Sequence, residues 1–292
     1  MSDSRIPDPS APLTPSGNLR RRQIFSRLTE VGATGAAVLA VGVLIVVIYT
    51  IVSRGAPAIS FDFLFKGYPD GVGPMILGTF VIVAVSTAMA APVGVLIALF
   101  LTEYAGSRGA GPLRLTLDLI NGLPSIILGL FVFNLLVNHK GTSGFAGAIA
   151  LAIIEVPLIA RGAQEVLLLV PKALREASDA LGVARWRSVL TVVLPTAMGG
   201  IVTATVLAVA RAVGETAPLI LTDFIFDPKK FSLNIFGEIP NAPVWIFKLS
   251  EEGTEKGYQE AWGLSLVLIV FILVASLGAR ALLGRSKRKL SS

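Results

Sequence analysis

Two uninterrupted apolar runs constrain this chain more than any other feature of its sequence. Residues 31–52 and 75–101 contain no Asp, Glu, Lys or Arg. A helix of about 20 predominantly apolar residues crosses the ~30 Å hydrocarbon core of a bilayer, and both runs reach that length. Because lipid offers no hydrogen-bond partners to the backbone, such runs span it as helices. The sequence therefore predicts an all-α integral membrane protein.

Further apolar stretches lie at residues 115–137, 144–160, 189–221 and 264–283, which makes six predicted spans. The stretch 189–221 has 33 residues, and a straight helix of that length would reach about 50 Å. It must therefore tilt, protrude or break. Pro195 and the pair Gly199 and Gly200 are the places where we expect the break.

The overall composition agrees with a membrane protein and limits the kinds of site that the chain can contain. Hydrophobic residues make up 53% of the 292 residues and charged residues 15%, against about 25% charged in soluble domains. There is no cysteine and one histidine, His139, so we predict no disulfide and no metal site. We expect a disordered cytoplasmic tail over residues 1–28, a six-helix transmembrane domain over 29–285 and a basic tail over 286–292.

The distribution of the basic residues predicts the orientation. If both termini are inside, the cytoplasmic segments hold seventeen Lys and Arg residues and the outer loops hold seven. Positive charge collects on the cytoplasmic side of membrane proteins, so both termini are predicted to be cytoplasmic. The basic runs 20–22 and 285–289 suggest binding either to nucleic acid or to anionic lipid. Each adjoins a predicted span, which favours lipid headgroups and argues against a nucleic-acid partner.

The predicted cytoplasmic loop 161–188 has an internal pattern of its own. Pro171 is suited to open a helix, and Gly182 permits a sharp turn because glycine adopts positive φ freely. Between and beyond them, small and apolar residues recur at three- and four-residue spacing, namely Ala173, Leu174, Ala177, Ala180, Leu181 and Ala184. Such a stripe suits either a helix lying on the lipid surface or a helix docking against a partner protein.

The order of residues in this loop favours docking. Glu176, Ala177 and Ser178 are followed after three residues by Gly182, and nine residues later by Val-Val-Leu-Pro at 192–195. This resembles the EAA loop of bacterial ABC importer permeases, with Ser178 in place of an alanine. The resemblance implies a type I (MetI-like) permease with six transmembrane helices. It also implies a coupling helix at 171–185 in which Glu176, Ala177, Ser178 and Gly182 dock on a separate ATPase.

An arginine and a glutamate inside the fifth predicted span point to an anionic cargo. Arg211 and Glu215 are four residues apart, so they share a helix face and can pair. Arginine near the bilayer centre costs about 2.5–3.5 kcal/mol, which suggests a functional position. Its planar fork also suits phosphate-like oxyanions. Alternatively, Glu215 neutralises Arg211 for structural reasons, or Arg211 snorkels to the outer interface.

The residues around this pair carry a more specific resemblance. The segment Arg-Ala-Val-Gly-Glu-Thr-Ala-Pro-Leu at 211–219 and the segment 121–130 are similar to the A-type permeases of bacterial high-affinity phosphate importers. By that resemblance Arg211 and Glu215 lie along a phosphate pathway. Glu155 in the fourth span either lines the same cavity or sits near the inner interface.

The same resemblance implies the partners. These are a second homologous permease of the C type, a dimer of ATP-binding subunits and an extracytoplasmic phosphate-binding protein, assembled in the bacterial inner membrane. The chain lacks the G-x-x-x-x-G-K-[ST] phosphate loop, so ATP and Mg²⁺ are expected on a partner. The chain itself is expected to hold no cofactor and to catalyse no bond chemistry. The alternatives are a permease for another oxyanion, a secondary anion transporter and a membrane adaptor.

Overall fold

The computed structural model describes residues 19–104, 106 and 108–290, and within these residues it contains helices and loops but no strand. In chain order the helices are α1 (Leu19–Gly55), α2 (Phe61–Phe65), α3 (Gly73–Glu103), α4 (Ala110–Gly122), α5 (Ser125–Val132), α6 (Asn138–Lys140), α7 (Gly144–Leu168), α8 (Lys172–Ala180), α9 (Arg185–Ser188), α10 (Leu194–Val213), α11 (Ala217–Thr222), α12 (Ala242–Glu252) and α13 (Glu255–Leu290). Two π-helical turns, Phe133–Val137 and Val189–Val193, lead into α6 and α10. The predicted all-α architecture is confirmed.

The number of membrane spans agrees with the prediction. Within the part of the chain that the structure describes, five helical segments are long and apolar enough to cross a bilayer, at Arg21–Ala58, Gly73–Glu103, Gly144–Leu168, Arg185–Val213 and Glu255–Gly278. A sixth crossing arises if a bent pair, Ala110–Gly122 with Ser125–Lys140, counts as one span. The chain is therefore a multi-pass membrane protein.

The third predicted span differs from the expectation of one straight helix over 115–137. The two parts of the pair meet at 101°, with Leu123 and Pro124 in extended backbone between them. Pro124 explains the break, because a proline disfavours helical backbone at the residue before it. On α4, Asp118 forms an ion pair with Arg161 of α7.

The fifth predicted stretch, 189–221, also breaks at a different place from the one expected. α10 continues unbroken through Gly199 and Gly200 and ends at Val213, and the chain leaves helical structure before α11. Pro195 is tolerated because it lies in the first turn of α10. Gly200 serves close packing, since a Cβ there would lie 2.3 Å from a methyl group of Val166 on α7.

The predicted boundaries of the two tails shift toward the ends of the chain. α1 begins at Leu19, so residues 19–28, which we expected to be disordered, are helical. The expected basic tail over 286–292 is helical as far as Leu290, because α13 continues to that residue. The remainder of both tails, residues 1–18 and 291–292, lies outside the described residues.

The chain divides between Thr50 and Ile51 into two units. In the first unit the helix exposes its apolar side chains, among them Val38, Leu39 and Ile45, as expected of a helix in contact with lipid or another chain. In the second unit α3 and α7 make the most extensive helix contact, and α10 packs on α7. One core cluster surrounds Met75 and Leu151, and a second, near the end that bears α8, surrounds Ala163 and Leu167.

Candidate functional site

Arg211 and Glu215 meet where α10 ends. Arg211 lies in the last turn of α10, and its Nε donates a hydrogen bond to Oε1 of Glu215 over 3.1 Å. The arginine side chain is 53% exposed, whereas the glutamate side chain is 14% exposed. Within the described residues, the terminal nitrogens of the guanidinium donate no hydrogen bond. These nitrogens can therefore donate hydrogen bonds to an oxyanion while the Glu215 carboxylate accepts from Nε.

A groove of about 480 Å³ runs beside Arg211 between α7 and α10. Its walls are apolar or small, including Leu158 and Gly162 of α7 and Ala204 and Leu207 of α10. Among the described side chains that line it, Arg211 carries the one charge. A guanidinium at the edge of an apolar groove, partly neutralised by Glu215, attracts an anion without offering it a deep, fully polar trap.

Glu155 does not join this pair. Its side chain is fully buried within the helical bundle. Its two carboxylate oxygens accept hydrogen bonds from the hydroxyls of Ser86 and Thr87 on α3, over 2.6 and 2.9 Å. The residue therefore links α7 to α3 in this structure, and its role in a pathway stays a prediction.

The coupling loop, which we define as residues 171–188, has the predicted form. α8 is followed by a turn in which Gly182 has φ of +69°, and α9 then leads back toward α10. Glu176 and Ala177 are exposed, whereas Ser178 is buried. The small and apolar stripe predicted along the loop is also exposed, with Leu181 82% accessible. This surface is therefore open for a partner.

Two buried acidic residues form contacts that sequence reasoning missed. Glu103, at the end of α3, is 6% exposed and pairs with Arg175 of the coupling loop. Asp223, which follows α11, is fully buried. Both lie beside apolar segments and look like ordinary interfacial acids in the sequence. Their partners are distant, 72 residues away for Glu103, and no local spacing indicates such a pairing.

Asp223 anchors the long connection between α11 and α12. Its carboxylate accepts a hydrogen bond from the backbone N–H of Ile239 over 3.2 Å and one from the Asn241 amide over 3.4 Å. Lys248 donates to the carbonyl of Phe224 over 2.6 Å, and its ammonium lies 4.2 Å from the rings of both Phe224 and Phe226. Burial raises the pKa of the Asp223 carboxyl to about 8. Burial also lowers the pKa of the Lys248 ammonium.

The raised pKa predicts that stability falls with rising pH. A carboxyl that binds its proton more tightly in the folded than in the unfolded chain stabilises the fold fully below its ordinary pKa of 3.8. That contribution is lost as the pH rises to about 8, the folded value. We expect the thermal unfolding temperature, followed by tryptophan fluorescence, to fall between pH 6 and pH 9. Asp223→Asn removes most of this fall.

Asp70→Asn is the matched control for this measurement, because Asp70 is exposed. It should keep the pH dependence of the unmodified chain. An Asp223→Asn chain whose unfolding temperature still falls with pH as in the unmodified chain would rule out Asp223 as the source.

The helical fold and its apolar spans define a multi-pass α-helical membrane protein. The family of binding-protein-dependent transport system inner membrane components matches this chain over residues 90–292. The chain is 38% identical to the phosphate transport system permease protein PstA of Xylella fastidiosa (strain Temecula1 / ATCC 700964), over 82% of this chain and 85% of that protein. It is 32% identical to PstA 1 of Mycobacterium tuberculosis (strain ATCC 25618 / H37Rv), over 96% and 94%. The chain belongs to the PstA family of phosphate transport system permeases.

Solved structures share the fold. An inward-facing methionine ABC transporter, MetNI, superposes with a TM-score of 0.57 at 20% identity, covering 78% of this chain and 99% of that one. A bacterial ABC transporter involved in alginate import gives 0.57 at 17% identity, covering 90% and 99%. Together with the family match over residues 90–292, these similarities in fold confirm the predicted ABC importer permease architecture.

Proposed function

We propose that this chain is one half of the translocation pathway of an ATP-driven phosphate importer. The observation that carries the proposal is the Arg211–Glu215 pair beside the apolar groove. Arg211 presents unused hydrogen-bond donors at the end of a spanning helix, which is the chemistry that a phosphate oxyanion requires. The relatives named as phosphate transport permeases support phosphate as the cargo.

Arg211 attracts the anion and Glu215 limits how tightly it is held. A guanidinium alone would bind phosphate strongly and release it slowly. The neighbouring carboxylate, 3.1 Å from Nε, offsets part of the positive charge and so keeps the affinity low enough for passage. Transport needs both properties, because a site that binds too tightly stops conduction.

Energy comes from a separate ATPase, which docks on the coupling loop. Glu176 and Ala177 lie exposed on α8, and the Gly182 turn presents Leu181 beside them. An exposed acidic side chain next to small residues fits a groove on a partner. ATP and Mg²⁺ bind to that partner, and this chain performs no bond chemistry.

The complete importer contains further partners. A second, homologous permease of the C type supplies the other half of the pathway, and an extracytoplasmic binding protein delivers phosphate. Both termini of this chain face the cytoplasm, in accordance with the excess of Lys and Arg on that side. The coupling loop then lies on the cytoplasmic side, where ATP is available.

The test is reconstitution of the co-expressed complex in proteoliposomes. We expect ATP hydrolysis to rise when phosphate-loaded binding protein is added on the outside, and radioactive phosphate to accumulate inside. Sulfate-loaded binding protein serves as the control and should stimulate neither. Phosphate accumulation without ATP, driven by an ion gradient, would contradict the proposal and favour a secondary transporter.

A further inference from the structure

We propose that Arg175 fastens the coupling loop to the ends of α3 and α7 together, so that motion of the loop is passed to both helices at once. The proposal rests on the proposed function, since it concerns how force from the ATPase reaches the pathway. It makes Arg175 and Glu103 positioning residues for transport.

The guanidinium of Arg175 uses all three of its nitrogens. Nε and Nη2 donate to Oε1 of Glu103 at the end of α3, over 3.2 and 3.1 Å. Nη2 also donates to the carbonyl of Leu167 over 2.9 Å, and Nη1 to the carbonyl of Val170 over 2.8 Å. Leu167 lies in the last turn of α7 and Val170 follows the helix by two residues, where carbonyls lack an intrahelical N–H partner four residues on. One side chain of α8 therefore binds the ends of two spanning helices.

Glu103 is a buried partner, which makes the link strong. It is 6% exposed, and Arg175 is 24% exposed. Hydrogen bonds between ionised groups exceed neutral ones in strength. Removing one member of a buried pair leaves an uncompensated charge, which is more costly than losing an exposed pair.

The second half of the coupling loop reaches the same point. Arg185 of α9 donates to the backbone carbonyl of Glu103, and its guanidinium carbon lies 5.0 Å from the centre of the Tyr104 ring. The contacts of α8 and α9 thus converge on the end of α3 from both sides of the Gly182 turn. Side-chain contacts therefore hold both halves of the loop on α3, in addition to the connections of the backbone.

α3 and α7 are also joined deeper in the membrane, whereas α10 is not joined to them by polar bonds. Glu155 of α7 accepts from Ser86 and Thr87 of α3. Among the described residues, no hydrogen bond or ion pair connects α10 to α3 or α7. Small side chains form much of the contact between α7 and α10, as at Gly162 and Ala204. These close contacts connect α10 to α7, and the unbroken helix that runs from α9 into α10 connects it to the loop.

The consequence concerns the groove that holds Arg211. This groove lies between α7 and α10, and both helices connect to the coupling loop, α7 through Arg175 and α10 through the helix that continues from α9. Motion of the loop therefore acts on both walls of the groove. Force on the coupling loop reaches the α7 wall of the groove through Arg175.

The first test uses Arg175→Met and Glu103→Gln in the full importer complex. We expect both variants to co-purify with the ATPase and to keep basal ATP hydrolysis within about twofold. Phosphate uptake and stimulation of ATP hydrolysis by loaded binding protein should fall about tenfold or more, as expected for the loss of charge-assisted hydrogen bonds. Lys140→Met, at an exposed lysine outside the coupling loop, is the control and should change nothing. Full uptake in both variants would overturn the proposal.

A second test measures the motion itself and requires no cargo. The chain has no cysteine, so pairs of introduced cysteines on this subunit can be spin-labelled without replacing native thiols. Lys172→Cys with Leu96→Cys reports the distance from the loop to α3, and Leu96→Cys with Thr203→Cys reports α3 to α10. Between the nucleotide-free and vanadate-trapped complexes, the first distance should stay constant and the second should change.

In the Arg175→Met background the first distance should change as well. A loop-to-α3 distance that changes in the unmodified complex would overturn the proposal. Because this measurement depends on ATP and not on phosphate, it separates the proposal from the identity of the cargo. If the distances behave as expected while phosphate uptake is absent, the assignment of phosphate fails and the link through Arg175 stands.

Discussion

Arg211→Gln is expected to lower phosphate uptake by about a hundredfold or more in a complex that still assembles. The substitution removes two charge-assisted donors, and each such bond contributes about 1.5–3 kcal/mol, so the loss corresponds to at least two orders of magnitude. It also leaves Glu215, which is 14% exposed, as an unpaired carboxylate that repels the incoming anion. Radioactive phosphate uptake into proteoliposomes, normalised to the amount of complex, measures the effect.

Three further variants separate the roles of the pair. Arg108→Gln removes an exposed arginine from the loop before α4 and should leave uptake unchanged. Arg211→Lys keeps the charge without the planar fork, and we expect intermediate uptake. Glu215→Gln should tighten phosphate binding and slow its release, so uptake saturates at lower phosphate and at a lower maximal rate. Unchanged uptake with Arg211→Gln would show that the pair is structural.

Ala177→Arg is expected to separate this subunit from its ATPase. Ala177 is exposed on α8, so the larger side chain has room in this chain and leaves its fold intact. In an interface with the ATPase, the arginine side chain fills the space that a close contact needs. It also buries an unpaired charge there. We expect at least a tenfold loss of co-purified ATPase, measured by affinity purification from detergent-solubilised membranes, and a matching loss of uptake.

The matched control places the same substitution on the opposite side of the membrane. Ala56 is also exposed and follows the end of α1. Ala56→Arg should retain the ATPase in full. Should Ala177→Arg retain it equally well, α8 would not be the docking element, and the alternative of a helix resting on the lipid surface would gain support.

The parts of the fold that sequence predicted well are those that local chemistry decides. Long apolar runs give spans, a glycine at position 182 gives a left-handed turn, and the spacing of Arg211 and Glu215 allows the hydrogen bond that the structure contains. These features need only neighbouring residues. Pro124 carried a local signal as well, since a proline restricts the residue before it, but the apolar run concealed the break.

The features that sequence did not predict depend on distant pairing. Glu103 and Arg175 lie 72 residues apart, and nothing in either segment selects the other. The end of α10 at Val213 was missed although Gly214 and Pro218 are helix-stop signals, because the apolar residues on both sides together predict one span. The burial of Asp223 follows from the way in which the α11–α12 connection folds back, with Ile239 as its donor, and a single sequence does not show that path.

The bend at Pro124 has a consequence for the surrounding lipid. After the bend, the helical segment Ser125–Lys140 has 16 residues and rises about 24 Å, less than the ~30 Å hydrocarbon core. A crossing by this segment alone, without α4, leaves the lipids a hydrophobic mismatch of about 6 Å, which costs a fraction of a kcal/mol for each ångström. Compression of the acyl chains or cover by a neighbouring subunit relieves that cost. The free energy of this permease in the membrane therefore depends on the thickness of the bilayer beside this segment. The segment packs against α11, next to the anion site.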